Sequence, residues 1–457
     1  MNKKLELSNY IESIYKNYSY YVLESRAIPD WTGLKRSQIK ILWVGNKHCR
    51  KVMKTLAFTG AIVLHGGYHH SPDALADTVA KMAQDFCGSN NLPLVKGFGS
   101  FGCQTIPDGV AAPRYTEVQL SDVFDYVFPK DDFNIAPESP DPENPEPEYL
   151  LPILPISLLN GIQGIAVGYA NKVFPRKTES LIKAAIQIIQ NKKVNVSEML
   201  PYFNDYRGEI TESSDGKVVI TGRLSKQPKN VILIDEVPFK YDVLGYKEYL
   251  YKLKDEGKIN SFVDESDGKW KITVNVPDST YGLSEDDLIQ MFDLKMNLNE
   301  NITIIAKEGS VKVFESALDY LKYFVNIRLN IYNDRKNYLL KENAKAILRT
   351  KIKSDLNSEL SNKVTKADII FALERKFGAY RDYFKLIDYS IEESEFKETV
   401  KNIVENIKLS ETLRDKKSEY ESELEKLIDY REKLTAETIE NMYIEDLKNF
   451  EKYLRKK

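Results

Sequence analysis

The sequence of 457 residues has little cysteine and no long apolar run. Its three cysteines, Cys49, Cys87 and Cys103, form no C-x-x-C pair, which argues against a disulfide-stapled fold and against a zinc site of that type. No stretch approaches the roughly 18 apolar residues that a membrane span requires. The N-terminus carries charges and tyrosines where a signal peptide would be apolar. We therefore expect a cytoplasmic protein rather than a secreted or membrane protein.

An excess of positive charge is also absent, since the formal net charge is -3 and the pI is near 6.0. Nucleic-acid-binding proteins are usually basic. However, residues 1–120 carry 14 basic and 9 acidic residues, whereas residues 121–150 carry 1 basic and 9 acidic residues. Phosphate binding depends on local basic patches. The first 120 residues therefore remain a candidate for DNA binding.

A proline-rich segment ends the first predicted domain, residues 1–150, and separates it from the second. The acidic segment 131–150 contains five prolines, which predicts an extended linker stiffened by like charges. Before it, three short helices are followed by glycine-rich and strand-like pieces, which favours a helix-turn-helix or winged-helix core. The third helix is predicted to begin after Ser71, a suitable N-cap, with Pro72 in its first position.

The two remaining predicted domains differ in pattern. Residues 151–310 contain alternating runs such as VVITGRL and VILIDEVPF, which indicate antiparallel strands. Residues 311–457 contain no proline and a single glycine, Gly378. Apolar residues recur there at heptad-like spacing, either as two strands of an antiparallel coiled coil or as amphipathic helices packed on a core: Leu318, Leu321, Val325, Tyr332 and Leu339, then Leu413, Tyr420, Leu427 and Leu434.

The densest chemical feature is Arg114 directly before Tyr115. A phenol is a poor nucleophile at neutral pH because its pKa is about 10. It can attack phosphorus where cations stabilise the developing charge, and arginine offers a fork of donors for phosphate. Taken alone, an Arg-Tyr pair is usually an ordinary surface or strand feature.

Tyr115 lies within a series of stretches that resemble, in order, the motifs of the gyrase A-like, DNA-cleaving subunit of type IIA DNA topoisomerases. The Tyr-His-His variant and the length are most similar to the bacteriophage members. The stretches are SRAIPDWTGLKRSQIKIL (25–42), GYHHSPDALADTVAKMAQ (67–84), GSNNLPLVKGFGSFGC (88–103), AAPRYTEVQLS (111–121), LLNGIQGIAVGYANKVFP (158–175), YRGEI (206–210) and DEVPFKYD (235–242).

The resemblance implies a role for each matching residue. Tyr115 would form a transient 5′-phosphotyrosyl bond and Arg114 would hold the scissile phosphate. Ile165 would wedge between base pairs and bend the cleaved duplex, at a cost of a few kcal/mol of unstacking. Arg26, also a catalytic residue, and Lys35 would hold further phosphates. His70, with His69 beside it, would contact the attacked phosphate or position its proton. Arg36 and Lys40 would add contacts to DNA.

Several of these residues have simpler explanations when taken alone. An isolated isoleucine such as Ile165 is usually buried, a histidine pair is usually a surface or packing feature, and lysines on one helix face are usually solvated. The sequence also departs from the family pattern. Ser71 stands where the family has glycine, Arg36 where it has proline, and Ile39 where an arginine is usual.

The resemblance also implies a fold and partners. It predicts a multidomain α+β protein with a winged-helix DNA-cleavage domain, an α/β "tower" domain, and a long antiparallel coiled coil bearing a helical C-gate globule. The acidic E-G-D-S-A and D-x-D motifs and a P-loop are not found in the sequence. Mg²⁺ and ATP are therefore expected on a partner subunit with Toprim and GHKL ATPase folds. A double-strand break needs two tyrosines, which implies a homodimer.

The predicted function is ATP-dependent type II topoisomerase activity, in which a second duplex passes through the break so that DNA is relaxed or decatenated. The expected location is the cytoplasm of a bacterial or phage-infected cell. The first alternative is a catalytically silent, architectural DNA-binding protein with the same fold. A purely structural coiled-coil protein is a further alternative, which the motifs of the first 150 residues disfavour.

Overall fold

The computed structural model describes residues 7–212, 217–359, 365–387, 389–406 and 416–456. The chain divides into two compact units, one of Met1–Arg328 with Ile444–Lys457 and one of Leu329–Tyr443. Helices alternate with short antiparallel sheets, in agreement with the α+β prediction. Within the described ranges, no helix is long and apolar enough to cross a membrane.

The first unit begins with a helical segment at residues 7–27. It alternates α and π geometry, as α1 (Leu7–Asn9), a π-helix (Tyr10–Tyr15), α2 (Lys16–Val22) and a second π-helix (Leu23–Ala27). The segment ends because Pro29 disfavours a helical conformation at the residue before it. That residue, Ile28, is extended, with φ -98° and ψ 132°. This segment is the first of the short helices predicted ahead of the acidic segment.

A winged-helix core follows. Its helices are α3 (Arg36–His48), α4 (Thr55–His65) and α5 (Pro72–Ala83), and they enclose an apolar core. The sheet contains β1 (Met53–Lys54), β2 (Val95–Phe98) and β5 (Glu117–Leu120), with β5 central and antiparallel to both neighbours. A hairpin of β3 (Phe101–Cys103) and β4 (Ile106–Val110) lies between β2 and β5 in the chain. The winged-helix prediction and the helix start at Pro72 are confirmed.

The acidic proline-rich segment does not form the extended, solvated linker predicted from its charges. After α6 (Phe124–Val127) and a 3-10 helix (Lys130–Asn134), it returns to the winged-helix core. Glu146 is 1% exposed and lies 2.8 Å from Lys40 Nζ. Asp132 is 2% exposed and pairs with the buried Arg328. Buried carboxylates require paired cations, so internal ion pairs hold this segment, and like-charge repulsion does not extend it.

Antiparallel sheets dominate the rest of the first unit, as predicted. The largest contains, in spatial order, β10 (Arg223–Gln227), β11 (Val231–Glu236), β13 (Ile272–Asn275) and β12 (Ser261–Asp264). It packs against α9 (Val243–Asp255) around Tyr246 and Trp270. The elements are α7 (Ile156–Asn160), β6 (Ile162–Ile165), β7 (Ala170–Val173), α8 (Thr178–Ile189), a 3-10 helix (Val196–Met199), β8 (Glu209–Glu212), β9 (Val218–Thr221), β10 (Arg223–Gln227), β11 (Val231–Glu236), α9 (Val243–Asp255), β12 (Ser261–Asp264), β13 (Ile272–Asn275), α10 (Asp278–Tyr281), α11 (Glu285–Met291), β14 (Lys295–Leu298), β15 (Ile302–Ile305) and β16 (Val311–Phe314).

The long helix α12 (Ala317–Glu359) begins inside the first unit. The Phe324 ring lies 5.5 Å from the Trp31 ring, and the Tyr320 hydroxyl donates to the Trp31 carbonyl at 3.1 Å. Leu321 and Val325 are fully buried at this position. The start of the first heptad-like run therefore packs on the winged-helix domain, and residues 311–314 form a strand.

The second unit contains the antiparallel helix pair. Asn343 in α12 donates to the Leu427 carbonyl at 3.0 Å, and Lys336 donates to the Thr435 carbonyl at 2.9 Å. Residue numbers thus fall along α16 (Lys416–Ala436) as they rise along α12, which confirms antiparallel pairing. A helical globule lies between them in the chain, and it shares one apolar core with α12. Leu413 falls outside the described residues. The remaining helices are α13 (Lys366–Glu374), α14 (Phe377–Leu386), α15 (Glu393–Asn406), α16 (Lys416–Ala436) and α17 (Ile439–Leu454).

Candidate active site

Tyr115 lies on the turn between β4 and the central strand β5. Its backbone N–H donates to the Ala112 carbonyl at 2.8 Å. The next residue, Thr116, is buried, and its hydroxyl donates to Thr55 Oγ1 at 2.8 Å. The backbone is therefore held while the Tyr115 side chain is 68% exposed. The Arg114 guanidinium carbon lies 4.8 Å from the centre of the Tyr115 ring, so an exposed phenol and a cation are presented together.

Arg26 and His70 form a second cluster. Arg26 Nη2 lies 3.4 Å from His70 Nδ1, and the Tyr21 hydroxyl lies 3.1 Å from His70 Nε2. The Tyr68 ring meets the His70 ring edge-on, with 5.4 Å between centres. Desolvation, and then the charge of Arg26, lower the pKa of His70. The neutral ring is therefore favoured at neutral pH.

Lys35 connects this cluster to the β6–β7 hairpin. Its Nζ donates to the Gln163 carbonyl at 2.7 Å. Desolvation, and then the charge of Lys81, lower the pKa of Lys35. The neighbouring Gly164 lies so close to the helical segment that a Cβ there would be 1.8 Å from the Ala27 carbonyl oxygen. Glycine is required at this close approach, and the hairpin is fixed against the residue that follows Arg26.

Ile165 ends β6 at the tip of this hairpin, where it pairs with Ala170. Gly168 makes the turn, with φ +77°. The Ile165 side chain is 78% exposed, and Val167 and Tyr169 beside it are 41% and 44% exposed. The burial usual for an isolated isoleucine is therefore not found. An apolar tip on a rigid two-stranded arm suits insertion into another molecule.

Lys40 does not have the exposure that DNA contact requires. Its residue is only 8% exposed, and its ammonium group is occupied by three acceptors: the Gly66 carbonyl at 2.6 Å, Asn144 Oδ1 at 2.7 Å and Glu146 Oε2 at 2.9 Å. Removing one member of a buried ion pair is strongly destabilising because the other charge is left unpaired, so Lys40 has a structural role. The prediction that Lys40 binds DNA is therefore wrong.

Arg36 and His69 differ from Lys40. Arg36 is half-buried, donates to the Glu148 carbonyl and lies 3.4 Å from Glu146 Oε1, so part of its charge is used within the protein. His69 is exposed next to His70. Both therefore remain secondary candidates for phosphate contact.

The predicted residues thus form two groups. Arg26, His70, Lys35 and the hairpin lie together, and Arg114 lies with Tyr115. Within the described ranges, no hydrogen bond or ion pair joins Tyr115 to His70 or Arg26. The sequence interpretation missed Tyr21. Its available signal was a tyrosine-rich run, YKNYSYY (15–21), in the helix that ends near Arg26.

No group of three or more His, Cys, Asp or Glu side chains that could hold a metal ion occurs among the described residues. The side chains of the two groups are cations, histidines and tyrosines, which do not form an Mg²⁺ ligand set, because Mg²⁺ prefers carboxylate and carbonyl oxygens. What these side chains can supply is hydrogen bonding and charge stabilisation at a phosphate, together with a phenol that can act as a nucleophile.

Comparisons with known proteins converge on one family. The model of the DNA gyrase/topoisomerase IV A-subunit family matches residues 26–448. The chain is 32% identical over 357 residues to the DNA topoisomerase medium subunit of Enterobacteria phage T4, covering 75% of this chain and 78% of that protein. It is 30% identical over 349 residues to the mitochondrial DNA topoisomerase 2 of Dictyostelium discoideum, covering 74% of this chain but 27% of that protein.

A similar fold occurs in the DNA-binding, cleavage and re-ligation domain of Plasmodium falciparum topoisomerase II. The TM-score is 0.86 at 24% sequence identity, over 99% of this chain and 65% of the other. Because the sequence identity is low, this likeness concerns the fold alone. It agrees with the α+β architecture expected from the sequence.

Proposed function

The chain belongs to the DNA gyrase/topoisomerase IV A-subunit family, and from this we propose that Tyr115 is the nucleophile with which it cleaves DNA. The chain is the DNA breakage-reunion subunit of a type II DNA topoisomerase, which is an isomerase. The proposal is carried by one observation, the exposed Tyr115 phenol beside Arg114 on a turn with a fixed backbone.

In the proposed step, Tyr115 Oη attacks the phosphorus of a DNA phosphodiester. The phenol loses its proton, the P–O3′ bond breaks, and the 3′-oxygen leaves and is protonated to a hydroxyl. The DNA 5′-phosphate is then joined to the tyrosine. Arg114 stabilises the charge that develops on the phosphoryl oxygens. Because one phosphoester replaces another, attack by the same 3′-hydroxyl reverses the step without ATP.

Other residues of the two groups bind the duplex. Arg26 holds backbone phosphate, and His70, 3.4 Å from it, belongs to the same phosphate-binding cluster. Ile165 inserts between base pairs and bends the duplex, which its 78% exposure on the hairpin supports. Lys35, Arg36 and His69 contribute weaker contacts, because Lys35 and Arg36 already have acceptors within the protein. Lys40 has a structural role only.

We also propose that the chain works as a homodimer. Helix α4 supports this because it is apolar on two sides. Phe58 and Ile62 face the core, whereas Leu56 and Leu64 are 58% and 76% exposed and Gly60 between them has open space around it. A helix that is apolar all round is normally buried. A second copy would cover this face and supply the second Tyr115, and the helical globule of the second unit would form the C-gate contact.

Type II topoisomerases generally use Mg²⁺ and ATP. We propose that both are bound by a partner subunit with Toprim and GHKL ATPase folds. When bound, Mg²⁺ would supply charge stabilisation at the phosphate. The work is divided among cleavage (residues 1–150), the tower (151–310), and the coiled coil with the C-gate (311–457), although residues 311–328 and 444–457 pack within the first unit. The complex relaxes or decatenates DNA by passing a second duplex through the break.

The test is to mix the full chain with a type II topoisomerase ATPase/Toprim subunit, Mg²⁺ and supercoiled DNA, and to denature the reaction rapidly. The expected product is linear DNA with protein attached covalently at its 5′ ends. Tyr115→Phe is expected to bind DNA normally and to form no adduct, because it lacks only the nucleophilic oxygen. An adduct in Tyr115→Phe would refute the proposal. DNA binding without any adduct in the unmodified chain would favour the silent architectural protein.

A further inference from the structure

The His70 ring has two polar neighbours whose chemistry fixes the position of its proton. A guanidinium has five N–H donors and no acceptor. The 3.4 Å contact from Arg26 Nη2 therefore requires His70 Nδ1 to be the unprotonated nitrogen. A neutral ring then carries its proton on Nε2. That N–H is 3.1 Å from the Tyr21 oxygen, which accepts it.

Tyr21 keeps one donor that the protein does not use. Its oxygen accepts from His70, so its own O–H must find another acceptor, and the described structure gives it none. The side chain is 42% exposed, and the Arg26 guanidinium carbon lies 5.5 Å from the centre of the Tyr21 ring. An exposed O–H donor beside a permanent cation matches an anionic oxygen.

We propose that Tyr21 is a phosphate-binding residue, the last donor in the hydrogen-bonded series Arg26–His70–Tyr21. This rests on the proposed function, because the acceptor is taken to be a backbone phosphate of the cleaved DNA. Each donor in such a series polarises the next and strengthens the terminal O–H. His70 then acts on DNA through Tyr21 as a positioning residue, and its ring is held from the side by Tyr68.

The same helix offers matched controls. Tyr18 and Tyr20 are 57% and 53% exposed, and within the described structure neither hydroxyl has a hydrogen-bond partner in the protein. Removing either hydroxyl changes the surface as Tyr21→Phe does but leaves the series intact. Tyr21→Phe itself keeps the ring that Arg26 contacts, so the folded state is preserved.

The experiment measures the affinity of the full chain for a fluorescent DNA duplex at several salt concentrations. Tyr21→Phe is expected to bind on the order of tenfold more weakly, as for one hydrogen bond to a charged group. Its salt dependence should match the unmodified chain, since a neutral donor displaces no counterion. Arg26→Gln should weaken binding and also reduce the slope of log affinity against log salt by about 1. Tyr18→Phe should have no effect.

Two outcomes would overturn the inference. One is a Tyr21→Phe affinity within about twofold of the unmodified chain, which is too small for a lost hydrogen bond to a charged group. The other is full additivity with His70→Ala, because residues acting in series must show coupling. Neither measurement involves the covalent adduct. A missing adduct at Tyr115 would therefore count against the proposed function, whereas a normal adduct with unaffected Tyr21→Phe binding would count only against this inference.

Discussion

Two charged regions of the first unit contrast with each other. Around Lys40 and Glu146, both side chains of the ion pair are almost completely buried, and the lysine has three oxygen acceptors. Around Arg114 and Tyr115, the side chains are exposed, and the contact that Arg114 makes within the described part of the chain is with the tyrosine ring. Basic residues that look alike in the sequence thus have different uses. Those with internal acceptors hold the fold, and those without are available to a ligand.

The largest effect is expected from Lys40→Met, which should lower the free energy of unfolding by up to about 3–5 kcal/mol. The reason is that Glu146 would remain buried and lose its nearer cation, keeping only Arg36 at 3.4 Å. Denaturant unfolding measures the change. The matched control is Arg50→Gln in the exposed Arg50–Asp125 pair, which should cost less than about 1 kcal/mol. Restored stability in Lys40→Met/Glu146→Leu would show that the loss comes from the unpaired Glu146 carboxylate. A Lys40→Met variant as stable as the control would contradict the structural role of Lys40.

Arg114→Ala is expected to impair cleavage and to leave stability almost unchanged, in contrast to Lys40→Met. It should reduce the rate of adduct formation by roughly 100- to 1000-fold, as when one preorganised donor to a developing oxyanion is lost. Stability should change by less than about 0.5 kcal/mol, because the side chain is exposed. Single-turnover cleavage and thermal unfolding of the same preparation report the two quantities. A variant that cleaves normally would show that Arg114 does not stabilise the developing charge. A variant that unfolds easily would place Arg114 with the structural cations.

A smaller effect is expected at Asp30, a half-buried carboxyl group whose Oδ1 accepts hydrogen bonds from neutral donors of Thr32 and Leu34. Burial raises the pKa of Asp30 to about 6 from its ordinary value of 3.8. The folded state thus binds a proton that the unfolded state has lost, and this contribution to stability disappears as pH rises from about 4 through about 6. Asp30→Asn should be more stable than the unmodified chain at pH 7.5 by at most about 3 kcal/mol.

The measurement for Asp30→Asn is unfolding as a function of pH. The two proteins should become equally stable near pH 4, where the carboxyl group is protonated in the folded state and close to its ordinary pKa in the unfolded state. A stability difference that does not depend on pH would show that Asp30 is charged and paired in the folded state, as Glu146 is. Asp30 would then belong with the structural ion pairs.

The sequence predicted the parts of the molecule that depend on local pattern. The helix start at Pro72, the antiparallel strands and the helix pair of the second unit follow from capping, alternation and heptad spacing, which are properties of neighbouring residues. Burial of Glu146 against Lys40 was not predictable in this way. The two residues are 106 positions apart, a separation that carries no periodic signal, and proline with like charges indicated an extended linker. The Tyr21–His70 contact was missed for the same reason.

The close approach of Gly164 to the Ala27 carbonyl has a consequence for how DNA is held. Since no side chain fits between the hairpin and the helical segment, the apolar tip at Ile165 and the cation of Arg26 cannot move independently. Under the proposed roles, this contact fixes the distance between the inserted tip and the phosphate that Arg26 binds. The number of base pairs between the kink and the phosphate held by Arg26 would be set by the protein backbone and would stay the same from one DNA sequence to another.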